Sequence, residues 1–126
     1  MSNDLPLLLL VEDDEVSKDI IIIFLKDVCN IEFAKDGPTA VEMLKNKKFD
    51  GFLMDINLGR GIGGIDVVHE IKKLPQYDNT PIIAITAYAM VGDKEEFLEE
   101  GCTHYISKPF LKSDLRKLVK EVLHLP

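Results

Sequence analysis

What this sequence lacks removes several functions at once. Its 15 lysines and arginines stand against 22 aspartates and glutamates, a net charge of −7. That balance argues against direct nucleic-acid binding, which needs clustered basic residues. There are two cysteines, Cys29 in a mostly apolar segment and Cys102 beside Gly101. With no CxxC pair or metal-ligand cluster, they read as reduced structural thiols of a cytoplasmic protein. The leucine run at 7–10 gives way almost at once to Glu12, Asp13 and Asp14. It is far too short for a signal-peptide core or a membrane span, so no membrane insertion is expected. Linkers, low-complexity tracts and internal repeats are also missing, and 126 residues fit one domain, 1–126, with a core from about 7 to 123.

What is present is a strict alternation of short apolar runs and helical patterns. Residues 7–11 read as a buried strand. Val16, Ile20, Ile23, Phe24 and the 27/28 region have helical spacing within 16–28; a helix is expected there despite the β-branched Ile20 to Ile23, because a strand would leave no room for a connection. A second strand at 31–34, a helix opened by Gly37-Pro38 with Ala40, Val41 and Leu44 on one side, and a third strand at 51–54 follow. The loop 55–64 leads to a helix from Ile65 to about Leu74, stopped by Pro75. Next come a strand at 82–85, a helix over 91–99 ending at Gly101, and a strand at 103–106. The last helix starts near Ser113, with Leu115, Leu118, Val119 and Val122 inward. Five strand-helix units predict an α/β, flavodoxin-like (βα)5 fold: a five-stranded parallel sheet of order 2-1-3-4-5 with helices on both faces.

That order sets the ends of strands 1 and 3 side by side, where open α/β sheets bind their ligands. Glu12 and Asp13 follow strand 1, Asp55 strand 3, Thr86 strand 4 and Lys108 strand 5. Three crowded carboxylates repel one another and require a cation. Oxygen ligands without a Cys or His cluster favour Mg²⁺ over zinc. Since Mg²⁺ prefers one or two carboxylates together with a phosphate oxygen, the site calls for a phosphoryl group. Asp55 then has the chemistry of an oxygen nucleophile that forms an acyl phosphate. Lys108 and Mg²⁺ would neutralise the transferred oxygens, and Thr86 would donate to one of them. The Lys108–Pro109 bond is one that can be cis. Two plainer readings stand beside these: an Asp after a strand also starts turns, and a lysine among buried acids also serves as a salt bridge.

The stretches Leu10-Val11-Glu12-Asp13-Asp14-Glu15, Leu53-Met54-Asp55-Ile56-Asn57, Ile85-Thr86-Ala87 and Tyr105-Ile106-Ser107-Lys108-Pro109-Phe110 together resemble a response-regulator receiver domain of two-component, or phosphorelay, signalling. The resemblance runs from Leu7 to Leu123. It implies that Asp55 is the phosphoacceptor, served by a phosphohistidine on a sensor histidine kinase or a histidine phosphotransfer protein. It implies Mg²⁺ held by Asp13, by Asp55, by the backbone carbonyl of Asn57 and, through water, by Glu12. Lys108 would contact the phosphoryl group, Pro109 would follow a cis bond, and Thr86 and Tyr105 would form a switch pair. Asp14 would be a common but non-catalytic acid. The implied activity is self-phosphorylation from a phosphodonor and slow autodephosphorylation, not conventional turnover. The helix 4, strand 5, helix 5 face would serve a downstream protein target or a homodimer, with Phe97 or Leu98 contributing.

A non-phosphorylated interaction module is the alternative, disfavoured by the retention of Lys108 and Thr86 alongside the acids. A flavin binder is opposed by the four acids after strand 1. Two features depart from the family pattern: Gly59 stands where many members carry proline, and the glycine-rich loop 59–64 is about one residue longer, which predicts a more mobile rim. Arg60 in that loop has two readings, contact with a phosphoryl donor and, favoured over it, a solvent-facing arginine. His69, His104 and His124 form no cluster and are expected to be structural or exposed.

Overall fold

A computed structural model describes residues 5–56, 63–87 and 93–125, apart from the side chains of Asp93 and Lys94. Strands and helices alternate through them as β1 (Leu7–Val11), α1 (Glu15–Phe24), β2 (Asn30–Ala34), α2 (Gly37–Asn46), β3 (Gly51–Asp55) and α3 (Gly64–Lys72). After a 3-10 turn at Pro75–Tyr77 come β4 (Ile82–Thr86), α4 (Asp93–Glu100), β5 (His104–Ser107) and α5 (Lys112–Val122). All strand pairs are parallel and the order is β2-β1-β3-β4-β5, as the alternation predicts.

Successive residues of a strand point to opposite faces, so the sheet divides its apolar side chains between two cores. Leu9, Val11, Phe52, Met54 and Ala84 meet Ala40 and Leu44 of α2, Val67, Val68 and Ile71 of α3, and Phe97 of α4. Leu8, Leu10, Leu53, Ile83 and Ile85 meet Ile21 and Leu25 at α1 and Leu115 and Val119 of α5. β3 and β4 are buried along their whole length, which explains their unbroken apolar sequences. Both run one residue further than expected, so Asp55 and Thr86 are the last residues of rigid strands.

Apart from Val28, the inward face of α1 is not the one its sequence pointed to. Ile21 is buried, with Leu25 and Val28 beyond the helix end, whereas Val16, Ile20 and Ile23 are 65%, 40% and 63% exposed. Both sets recur at helical spacing. Leu25, Val28 and Cys29 decide between them, because they are buried where the chain turns back towards β2. Arg116 of α5 closes that end: it donates to the carbonyls of Phe24 and Lys26 and pairs with Asp27 at 3.0 Å.

Asp14 starts α1 by accepting the Ser17 N–H at 2.8 Å, and Asp36 starts α2 through Thr39 in the same way. α3 stops at Lys72, short of Leu74, because Leu74 takes the extended backbone that precedes a proline. The turn after it buries Tyr77, whose hydroxyl accepts the Phe49 N–H at 3.1 Å and whose ring meets Phe52 edge-on at 5.1 Å. Gly101 leaves α4 with φ of +123°, a conformation that favours glycine. Cys29 and Cys102 are buried free thiols, pushed up by burial to about 12 and about 11. No described helix is long and apolar enough to cross a membrane.

Candidate functional site

Parallel register brings the strand ends level. Val11 pairs with Met54, Asp55 with Ile85, and Thr86 with Ser107. Glu12, Asp55, Thr86 and Lys108 therefore stand together at the carboxyl edge of the sheet. Glu12, Asp55 and Thr86 are only 2%, 3% and 1% exposed, while Asp13 is open to solvent. One oxygen each from Glu12, Asp13 and Asp55 lie within 4.8 Å of one another, the only such group of metal-ligating side chains among the described residues.

Lys108 joins this group directly, its Nζ donating to Glu12 Oε1 at 2.9 Å. Among the described residues, the ammonium of Lys108 is the cation paired with a member of this acidic group. The carboxyl of Glu12 is pushed up to about 7, first by burial and then by its hydrogen bond to Asp55, against the pull of Lys108. Asp14 is outside the group: as the cap of α1 it is held below its ordinary value by its bonds to Ser17. The Lys108–Pro109 peptide is cis, as the sequence motif implies. Beside Lys108 opens a cavity of about 490 Å³, lined by Ser17, Ile20 and Phe24 of α1 and by Ala87, Lys108 and Phe110.

Tyr105 is half-buried against the core beneath α3 and α4 and stacks on Phe97, with ring centroids 5.9 Å apart. Of the two residues between which the outer-surface expectation lay, Phe97 is therefore a core residue and Leu98 is the exposed one, at 40%. Asn57 and Arg60 lie outside the described residues, as does the 59–64 loop except for Gly63 and Gly64.

Gly64 has a role that the sequence did not disclose. A Cβ added there would fall well inside contact distance of the Asp55 carbonyl oxygen and 2.9 Å from Ile56 Cα. The first turn of α3 thus rests on the backbone of Asp55. Gly64→Ala is expected to lower stability by about 1–3 kcal/mol, as overpacking does, in a denaturant titration, by displacing the backbone at Asp55. An unchanged midpoint would mean that the helix start yields freely.

The model of the response regulator receiver domain family matches residues 8–120. This chain belongs to that family. The receiver is 37% identical over 110 residues to the signal transduction histidine-protein kinase BarA of Escherichia coli K12, an overlap that covers 86% of the receiver and 12% of the kinase. It is 40% identical over 120 residues to the transcription factor prr1 of Schizosaccharomyces pombe, covering 94% of the receiver and 22% of that protein. The chain thus spans a small part of either relative's length. Among solved structures, it superposes with a TM-score of 0.84 and 31% identity on the receiver domain of a sensor histidine kinase from Pseudomonas aeruginosa PAO1, covering 94% of this chain and 98% of that one. That protein has a magnesium ion coordinated in its active-site cleft. The chemotaxis protein CheY4 of Vibrio cholerae matches with a TM-score of 0.86 and 27% identity, covering 94% and 98%.

Proposed function

We propose that the receiver is a phosphorylation-dependent switch in which Asp55 takes a phosphoryl group from a phosphohistidine, carried by a sensor histidine kinase or a histidine phosphotransfer protein. The observation that carries this reading is the convergence of Glu12, Asp13 and Asp55 within 4.8 Å beside the Lys108 ammonium. An all-oxygen set suits a hard divalent cation, and the push on Glu12, due first to burial and then to its hydrogen bond and charge repulsion with Asp55, is the kind a cation beside these acids would relieve. Glu12, Asp13 and Asp55 fit Mg²⁺: Asp13 and Asp55 would hold it directly and Glu12 through a water, and the family resemblance would add the backbone carbonyl of Asn57. Mg²⁺ there supplies positive charge to the oxygens of the transferring phosphoryl group. The magnesium-bearing Pseudomonas aeruginosa receiver adds support by likeness.

The chain's own residues do the rest. A carboxylate oxygen of Asp55 attacks phosphorus as the P–N bond to the donor imidazole breaks, and the imidazole leaves with that electron pair. Lys108 turns from Glu12 to a phosphoryl oxygen, and the Thr86 hydroxyl donates to another. Water attack on phosphorus later restores the Asp55 carboxylate and releases inorganic phosphate.

Ala84 pairs with Tyr105, and Thr86 follows Ala84 by two residues, so Thr86 and Tyr105 share one face of the sheet. That common face supports their action as a switch pair, in which the Thr86 hydroxyl moves to the phosphoryl group and the Tyr105 ring follows. The surface of α4, β5 and α5 then changes for a downstream protein target or a second copy. At the donor side, Val16, Ile20 and Ile23 share the outward face of α1, and Ile20 lines the cavity at Lys108, an apolar face suited to a helix that presents the phosphohistidine. A cytoplasmic setting agrees with the two free thiols.

Incubation with a small phosphodonor such as phosphoramidate is expected to add one phosphoryl group by intact mass in Mg²⁺ and none in EDTA. Modification indifferent to EDTA, or no modification of the folded protein in either, contradicts the proposal. Partner binding unaffected by the phosphodonor would then favour a plain interaction module.

A further inference from the structure

Among its described residues, α4 is held in place by few side chains. The one buried side chain among them is Phe97, stacked on Tyr105 of β5 with the ring planes at 29°. One turn later Glu100 meets α3, its Oε1 lying 2.5 Å from His69 Nε2. Phe97 and Glu100 are three residues apart on one short helix, so the two contacts share its position.

The charge around the second contact is lopsided. Glu95, Glu96, Glu99 and Glu100 crowd the last two turns of α4, and carboxylates at a helix C-terminus oppose its dipole. A cation against Glu100 relieves that, and histidine is the side chain that gains such a charge between about pH 8 and pH 5. Of the other described charges near the pair on α3, only Glu70 has an ionic partner, and Lys72, whose stem lies against Gly101, is a standing cation at the same end of α4 whose charge does not change with pH as that of histidine does. Asp66 accepts the Gly63 N–H, Glu70 pairs with Lys73 at 2.8 Å, and Lys72 reaches the Asp78 carbonyl at 3.5 Å. On α2, packed against α3, Glu42 faces Lys45 at 3.7 Å. Glu96, one turn before Glu100, and Glu99 beside it add only negative charge. Cys102 beyond the turn stays neutral, its thiol pushed up to about 11 by burial and by Glu100.

We propose that the His69–Glu100 pair is a proton-operated latch: protonated His69 fastens α4 to α3 and keeps Phe97 stacked on Tyr105, and neutral His69 loosens both. Its signalling consequence rests on the switch reading above, since a fastened α4 favours the resting form of the α4, β5, α5 face. The latch itself needs no phosphorylation.

Hydrogen exchange read by mass spectrometry on the unphosphorylated full chain, at about pH 6 and about pH 8 and normalised to intrinsic exchange, tests it directly. Peptides across 95–100 are expected to be about threefold to fivefold better protected at the lower pH, as a charge at a helix end allows, with α1 and α5 unchanged. His69→Gln and Glu100→Gln are each expected to remove the difference. His69→Lys, charged at both values, is expected to keep α4 protected at both. Protection of α4 that ignores pH in the wild type, or a difference that persists in both Gln variants, overturns the latch. A receiver whose Asp55 takes no phosphoryl group would leave this result standing.

Discussion

Asparagine at position 55 is expected to abolish phosphoryl transfer outright and leave the fold intact. Asp55 ends a strand that is buried along its length, and an amide has the shape of the carboxylate it replaces. The change therefore falls on the nucleophile. It also removes one of the charges that push Glu12 upward, so metal-free Asp55→Asn is expected to melt no lower than the wild type. Intact mass after incubation with phosphodonor and Mg²⁺, with a thermal melt alongside, checks both statements. A variant that still gains a phosphoryl group would carry its acceptor elsewhere, with Asp13 and Glu12 the nearest candidates.

Lys108→Ala is expected to slow phosphorylation by about 10²–10³-fold, which corresponds to about 3–4 kcal/mol of lost transition-state stabilisation. The ammonium is 2.9 Å from Glu12 Oε1, near enough to be handed to a phosphoryl oxygen that arrives at Asp55. A lysine that only balances a buried acid gives a different result: stability falls, because Glu12 loses its cation, while the rate per folded molecule stays within a few-fold of wild type. Lys108→Arg separates the two further. It keeps the charge on a broader, planar group and is expected to restore stability more fully than rate.

The sequence carried the topology because its short apolar runs are separated by single helical patterns, and five such units have few right-handed solutions. It carried the convergence of polar groups because the ends of β1, β3, β4 and β5 each deliver one or two of them to the same edge, with the acids of β1 and β3 adjacent. The buried face of α1 was not legible. Val16, Ile20 and Ile23 have the same spacing as Ile21, Leu25 and Val28, and only the turn into β2 selects the latter. Phe97 and Leu98 posed the same difficulty, since adjacent apolar residues on a short polar helix exchange roles with a small rotation. Gly64 looked like loop material among other glycines, although its sequence position directly before an apolar helical pattern was a usable signal. The His69–Glu100 contact joins residues 31 positions apart, and no local pattern announces such a pair.

Reductive trapping tests the central claim most directly. Borohydride converts an aspartyl phosphate to homoserine with release of phosphate, marking the acceptor permanently for peptide sequencing by mass spectrometry. Receiver treated with phosphodonor and Mg²⁺ is expected to show homoserine at position 55 and nowhere else, and none after treatment in EDTA. Homoserine at Asp13, the corresponding reduction product at Glu12, or no trapped residue in protein that has gained a phosphoryl group would contradict Asp55 as the covalent acceptor.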